Sequence, residues 1–351
     1  MIGGFFSWSS IHITQFFASI STPAWLTSLI VNGLIAGVGG VLSFLPNIMI
    51  LFFLMSYLED TGYMARAAFV MDGVMHKMGL HGKSFIPMIL GFGCNVPAIM
   101  AARTLETRKD RILTVLVNPF MSCSARLPIY VLFAGAFFTK HQGFIVFSIY
   151  MIGIIIAVFS ARLFKGLFFK EEDIPLIIEL PPFRMPKLVN SILHMWLKAR
   201  SFIYKAGTVI VAGVVIVWFL SSVPFGVEYA SEESFLGVIG RAIAPIFHPA
   251  GLGDWKIVVA LIFGIIAKEE VVAILGTLLP TAGQTLSEAL HLFFTPVTAF
   301  GFMILTLVYT PCFATLGVMK KEIGLKWTMF SVFYGLLLGW VLATLINIIF
   351  S

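Results

Sequence analysis

The sequence predicts an all-α, polytopic helical membrane protein with broken or re-entrant helices and a weak internal repeat. Three observations carry this. Of 351 residues, 59% are apolar and 11% charged, with a mean hydropathy of +0.99, whereas soluble domains carry about 25% charged residues. The charges are confined: no Asp, Glu, Lys or Arg precedes Glu59, and none lies between Lys205 and Glu228, between Glu288 and Lys320, or after Lys326. A bilayer core about 30 Å thick takes roughly 20 apolar residues per helix, so several of these runs are long enough to span. Finally, helix breakers interrupt the apolar runs at three places, each beside a cysteine. This composition excludes a disordered chain, a disulfide framework and a soluble nucleic-acid binder, despite a net charge of +6.

In chain order, residues 1–28 form an apolar, aromatic segment with Pro23 but no basic n-region, so no signal peptide is predicted. Candidate membrane segments at 29–58, 85–101, 112–138 and 143–165 make up a first membrane region over 29–165. The polar stretch 166–202, with Glu171-Glu172-Asp173 and Pro181-Pro182, reads as a cytoplasmic connector holding an amphipathic helix near 187–200. A second membrane region over 203–351 contains segments 203–223, 256–279, 289–316 and 327–350. Basic residues gather in the connectors, at Arg103, Arg108, Lys109 and Arg111, at Arg162, Lys165 and Lys170, and from Arg184 to Lys205. Such connectors face the cytoplasm, and the acidic stretch from Glu228 to Asp254 is placed outside. Putting both 102–111 and 318–326 inside requires at least one re-entrant or broken segment.

Gly91-Phe92-Gly93-Cys94-Asn95-Val96-Pro97 cannot be one undisturbed helix, because two glycines weaken it and Pro97 lacks an amide donor. Asn118-Pro119 interrupts 112–138, and Pro311, in Thr310-Pro311-Cys312, interrupts the late apolar run. Irregular backbone at membrane depth persists where it is buried in protein or lines a cavity. A proline kink explains any one break alone; three breaks beside cysteines point to a lined pathway. A weak internal echo pairs Cys94, nine residues before Arg103, with Cys312, nine residues before Lys321. It likewise pairs Glu59-Asp60 with Glu269-Glu270.

Charge within apolar runs marks the candidate chemistry. A charged side chain at the bilayer centre costs roughly 2.5–3.5 kcal/mol on insertion scales. Lys268-Glu269-Glu270, between two uncharged stretches, therefore calls for partners or a water-filled path, the plainer alternative being a helix end at the interface. Glu59-Asp60 also fits a helix end, since Thr61-Gly62 follows. Arg126 is the sole charge between Arg111 and Lys140 and stands three residues after Cys123, which predicts an acidic partner. Free cysteines usually pack as small hydrophobes. Thiolates nevertheless suit late first-row divalent ions. Cys94, Cys123 and Cys312, with carbonyls released near Gly93, Pro97 and Pro311, fit a mixed sulfur and oxygen site for a borderline ion such as ferrous iron. Met100 and Met121 are read as core packing before soft contacts. Gly82-Lys83-Ser84 imitates the end of a phosphate loop, but Lys77 stands where its first glycine belongs. GxSxG and HExxH are absent, so a transporter is favoured over an enzyme.

The segments Gly39-Gly40-Val41-Leu42-Ser43-Phe44-Leu45-Pro46, Glu59 to Phe69, Gly82 to Pro87, Gly91 to Met100, Asn118 to Pro128 and Ala267 to Val272 resemble the membrane part of the bacterial ferrous iron transporter B family (FeoB). The likeness runs from about residue 30 to the end and is densest over 33–138. It implies two gate regions, 85–138 and 256–326, related by an internal repeat and similar to nucleoside-recognition gate folds. It also implies inward Fe²⁺ transport across the cytoplasmic (inner) membrane, and it maps the family's membrane cysteines onto Cys94, Cys123 and Cys312. Members normally carry an N-terminal GTPase domain, a helical spacer and a first membrane helix, and this chain begins after them. A separate GTPase subunit, or the missing N-terminal GTPase domain, is thus an expected partner.

The resulting expectation is an Fe²⁺ permease in which the three cysteines coordinate the cargo and Glu59, Asp60, Glu269 and Glu270 attract or relay cations. Arg126 holds an acidic network, with Lys268 as a second charge partner. Gly91, Gly93, Asn95, Pro97, Asn118, Pro119 and Pro311 supply the backbone breaks. Fe²⁺ is expected as transported substrate, with no covalently bound cofactor. The lipid bilayer is the expected surroundings, no nucleic acid is expected, and a homo-oligomer is left open. Two rivals are a cation-coupled permease for a nucleoside or other solute, and a non-transporting membrane scaffold for a GTPase.

Overall fold

The computed structural model describes residues 36–169, 185–204, 208–222, 232–279 and 286–350, with His12, Thr27 and Ile30. The rest of the N-terminal segment 1–28, the acidic triplet 171–173 of the connector and Glu228 lie outside the described residues. Among the described residues every regular element is a helix.

Helices α1 (Ala36–Asp60) and α2 (Tyr63–Lys77) lead into the first of two units of like construction. In it, α3 (Phe85–Gly93) and α4 (Asn95–Ala101) meet at Cys94. Helices α5 (Arg108–Val117) and α6 (Leu127–Phe137) are separated by a break containing the 3₁₀ turns Asn118–Phe120 and Ser124–Arg126. The long α7 (Gln142–Phe168) closes the unit. The connector helix α8 (Leu188–Phe202), α9 (Thr208–Ser222) and α10 (Phe235–Phe247) follow. In the second unit, α11 (Trp255–Ile266) and α12 (Glu270–Leu278) meet at 267–269, and α13 (Leu286–Leu290) is a short link. Helices α14 (Pro296–Val308) and α15 (Phe313–Ile323) meet at 309–312, and the long α16 (Leu325–Phe350) closes the unit.

Four helical stretches are long and apolar enough to cross a membrane: α5 with α6, α7, α14 with α15, and α16. The bent pair Phe235–Ala250 and α11, turning by 101°, would make a fifth. The chain is a multi-pass membrane protein. Its most apolar window is 78% buried in α14–α15 but 17% buried in α16, so the broken helix is central and the unbroken one peripheral. Phe144, Phe147, Ile155 and Phe159 of α7, and Phe333 and Ile348 of α16, stay exposed, as a lipid-facing surface requires. Gly153 of α7 abuts the Phe120 carbonyl, 2.8 Å from where a β-carbon would stand, and Gly335 of α16 abuts that of Val308 at 3.0 Å. Small residues let each long helix close on the broken helix of its own unit.

Side-chain contacts order the two ends. Lys83, just before α3, donates to Glu106, just after α4, at 2.5 Å, so the chain enters and leaves this segment on the same side. At that basic end Arg103 donates to Glu322 of α15 at 2.6 Å, and Arg162 of α7 to the Lys77 carbonyl at 3.0 Å. At the opposite end the Lys256 ammonium of α11 lies 4.9 Å from the centre of the Phe293 ring, beyond α13. There too Phe137 of α6 meets His291 at 4.4 Å, and Asn347 of α16 donates to the Pro249 carbonyl at 3.1 Å. Candidate segments 85–101 and 256–279 are therefore hairpins, not spans. Their half-helices of 7 to 12 residues reach at most about 18 Å, short of the hydrocarbon thickness. The first hairpin opens at the basic end and the second at the other, so the units are inverted copies. Both 102–111 and 318–326 thus share the basic end, as the charge pattern demands.

Element order sets the register of the repeat, and the backbone conformation at the breaks agrees with it. Cys94 (φ −155°, ψ 130°) and Ala267 (φ −145°, ψ 130°) are the extended residues of the two hairpins. Cys123 (φ −76°, ψ 159°) and Cys312 (φ −66°, ψ 159°) occupy the other matched position. The sequence echo that pairs Cys94 with Cys312 is corrected accordingly. Three of the breaks carry a cysteine with proline nearby, whereas 267–269 carries neither, so the repeat preserves backbone shape where residue identity has diverged.

Candidate functional site

Within each unit, polar side chains tie one break to the other. In the first, Asn118 Nδ2 donates to the Pro87 carbonyl (2.8 Å) and Ser124 Oγ to that of Gly93 (2.9 Å). In the second, Tyr309 OH donates to the Leu261 carbonyl (3.5 Å) and Lys268 Nζ to that of Thr310 (2.5 Å). Gly91 and Gly264, each three residues before its extended residue, permit this approach. A β-carbon on Gly91 would lie 2.9 Å from that of Met121, and one on Gly264 would collide with the Tyr309 hydroxyl and Val271. The carbonyls of Gly93 and Thr310 are thus held by Ser124 and Lys268, where the sequence suggested released ones.

The breaks of both units meet. Cys94 lies within electrostatic range of Cys123, Cys312 and Glu269, and Lys268 within range of Arg126, Cys123 and Cys312. All three thiols are free and half-buried, and each cysteine directly precedes a helix or helical turn. The Cys312 sulfur lies 3.1 Å from Thr315 Oγ1. Glu269 and Glu270, half-buried, stand at the start of α12. Asn95, Pro97, Asn118, Pro119 and Pro311 are buried around them. Among the described residues, no three His, Cys, Asp or Glu side chains converge at metal-binding geometry.

Two cations are sealed into this cluster. Arg126 is 0% exposed and Lys268 2%. Arg126 Nη1 donates to the carbonyls of Pro119 (2.9 Å) and Met121 (3.3 Å). This corrects the expected acidic partner: the 3₁₀ turn at Ser124–Arg126 folds the guanidinium back beneath its own break. Among the described residues its Nε and Nη2 have no hydrogen-bond partner, and Asn95 Oδ1, Asn118 Oδ1 and Thr310 Oγ1 are also buried without one. An unsatisfied buried polar group costs about 1–3 kcal/mol, and these atoms gather at the breaks. The Lys268 ammonium also sits 3.3 Å above the Tyr309 ring.

Glu59 and Asp60 serve a different place, the end of α1 that lies beside Arg103 and Lys198. Glu59 accepts from Lys198 Nζ (2.9 Å) and Asp60 from Ser191 Oγ (2.9 Å), which docks α8 on α1. Glu59, Lys198, Met55, Met64, Pro97 and Met100 line a cavity of about 330 Å³. It lies beside α4, one to two turns beyond Cys94. On the same end, the hydrogen-bonded Lys83 ammonium holds the exposed Glu106 carboxyl below the usual carboxylate range. Sequence reasoning missed Ser124, Tyr130, Lys198 and Tyr309. The two tyrosines are fully buried in the cluster, yet a tyrosine in an apolar run carries no local signal of that.

Comparison with known proteins agrees with this architecture. The family model described as Gate: Nucleoside recognition matches residues 41–137 and 203–326, and that of the ferrous iron transport protein B C terminus matches residues 146–198. An Fe(2+) transporter FeoB from Methanocaldococcus jannaschii is 49% identical over 343 residues, covering 95% of this chain and 51% of that protein. A protein from Porphyromonas gingivalis named an Fe(2+) transport protein A/Fe(2+) transporter FeoB fusion is 44% identical, covering 91% of this chain and 44% of its own length. An Fe(2+) transporter FeoB from Staphylococcus aureus is 43% identical, covering 97% of this chain and 51% of that protein. The chain thus spans about half the length of the curated relatives it matches. No solved structure matches it.

Proposed function

The chain belongs to the ferrous iron transport protein B family, and on that premise we propose that it forms the ion-conducting part of an Fe²⁺ uptake permease in the cytoplasmic membrane. The observation that carries this reading is the meeting of Cys94, Cys123 and Cys312 with Glu269 where the breaks of two inverted units converge. Thiolates favour a borderline divalent ion over alkali ions or Mg²⁺.

Rocking of one hairpin against the other brings the thiols to a shared ligand position and opens the cluster to alternate sides. Glu270 draws cations toward the cluster. Released cargo passes Pro97 and Met100 into the inner cavity, where Glu59 and the Met55 and Met64 thioethers receive it and Asp60 anchors the connector. The gate regions 29–165 and 203–351 carry the movement, with 166–202 as connector. A GTPase domain or subunit acting at the basic end is the proposed driver.

The test is ⁵⁵Fe²⁺ uptake into proteoliposomes under reducing conditions, with the chain alone and then with a GTPase partner and GTP. Uptake competed by other divalent metals and abolished by Cys94→Ser with Cys312→Ser supports the reading. Nucleoside uptake without Fe²⁺ uptake overturns it in favour of a solute permease.

A further inference from the structure

Arg126 and Lys268 occupy different places in their units, yet they reach equivalent atoms. Arg126 follows Cys123 in the second break of the first unit, whereas Lys268 stands in the hairpin break of the second. Arg126 Nη1 donates to the carbonyl of Met121, two residues before Cys123, at 3.3 Å. Lys268 Nζ donates to the carbonyl of Thr310, two residues before Cys312, at 2.5 Å. Because Cys123 and Cys312 each stand at the break of their unit's broken helix, directly before the helical turn that resumes it, these carbonyls correspond under the repeat. Each unit therefore delivers a buried cation to the same backbone atom, from a different direction.

Neither cation makes an ion pair among the described residues. Burying a charge without a counter-ion costs several kcal/mol, and a neutral donor would serve a carbonyl at lower cost. The first unit shows this, since Asn118 and Ser124 hold the Pro87 and Gly93 carbonyls without charge. Charge at these two carbonyls calls for a reason beyond packing. Proximity supplies one, because Lys268 lies within electrostatic range of both Cys123 and Cys312. Arg126, with two donors unspent, stands three residues after Cys123.

We propose that Arg126 and Lys268 are equivalent positioning residues, one per unit, that pin the backbone immediately before Cys123 and Cys312 and so set where these thiols stand for a divalent metal cargo. The inference deepens the permease reading and rests on the cysteines meeting the cargo. Lys268 is held in turn by the Tyr309 ring beneath it.

The experiment uses the full chain in lipid nanodiscs under reducing conditions, with Co²⁺ alone as spectroscopic probe. The wild-type chain is expected to show thiolate-to-cobalt charge transfer in the near ultraviolet. Lys268→Met and Arg126→Gln are each expected to weaken Co²⁺ binding by roughly 10–100-fold, as loss of groups that orient metal ligands does, and to diminish that band. Lys268→Arg and Arg126→Lys, which keep charge and donor, are expected to recover most of both. Monodispersity and helical circular dichroism check folding. A variant that fails to fold in one unit leaves the other unit to decide, because the claim is equivalence. Wild-type affinity and spectrum in the folded neutral variants overturn the proposal, as do charge-keeping variants that lose as much as neutral ones. Absence of any thiolate band in the wild-type chain instead overturns the permease reading on which the proposal stands.

Discussion

The two inverted units have one backbone and two chemistries. The first places Cys94 at the tip of its hairpin and holds its breaks together with the neutral Asn118 and Ser124. The second places Ala267 at the matching tip, follows it with Lys268, Glu269 and Glu270, and holds its breaks with Lys268 and Tyr309. Fold therefore supplies two matched pairs of broken positions, and at the hairpin pair divergence distributes sulfur to one unit and charge to the other. A cation at their junction faces thiols from both units but hairpin carboxylates from only one.

The largest effect is expected from removing sulfur on both sides of the junction. Cys94→Ser combined with Cys312→Ser should lower ⁵⁵Fe²⁺ uptake at least about tenfold with folding intact, the lower bound for disturbing a metal shell. Uptake unchanged in the double variant would break the comparison outright. Next comes hairpin packing. Gly264→Ala should destabilise the chain by about 1–3 kcal/mol through overpacking, and by more than Gly91→Ala does. The reason is that its β-carbon meets both the Tyr309 hydroxyl and Val271, whereas that of Gly91 meets chiefly the Met121 side chain and Asn118. Thermal unfolding in detergent ranks the two.

A smaller effect sharpens the match between the hairpins. Ala267 has the extended conformation of Cys94 and is only half-buried. Ala267→Cys should thus change stability by no more than about 0.5 kcal/mol. It should also add thiolate intensity to the cobalt spectrum, which a mismatched register would not do.

The smallest effect concerns the Lys83–Glu106 tie that closes the first hairpin at the basic end. The Glu106 carboxyl is held low by its hydrogen bond from Lys83. A depressed folded-state value means the tie's contribution is present above the unfolded carboxylate value and lost as pH falls through the folded one. Lys83→Met should remove that acid-side loss and nothing at neutral pH beyond the small worth of an exposed pair. Unfolding midpoints followed from neutral to acid pH for both proteins check this.

Much of the architecture was legible in the residues. The breaks at Gly91–Pro97, Asn118-Pro119 and Pro311 stand where glycine, asparagine and proline announce them, because these residues act on the backbone locally. The partners of Arg126 and Glu59 were not legible. Arg126 turns back on Pro119 and Met121 within its own break, and Glu59 finds Lys198 from 139 positions away. The tyrosines of the cluster were invisible for a similar reason: Tyr130 and Tyr309 differ from other aromatics of apolar runs only in what surrounds them.

By itself the sequence determined a multi-pass helical membrane protein and three of the places where its helices break, at Cys94, Asn118-Pro119 and Pro311, but not the one at 267–269. Hydrocarbon selects for composition in windows of about 20 residues, and backbone breakage depends on residues a few positions apart. Only the tertiary structure decided that 85–101 and 256–279 turn back as hairpins, that the units are inverted, and that Cys312 answers to Cys123. A hairpin and a span have the same local composition. Which one forms depends on contacts such as Lys83 with Glu106 and Lys256 with Phe293, made between residues that only the folded chain brings together.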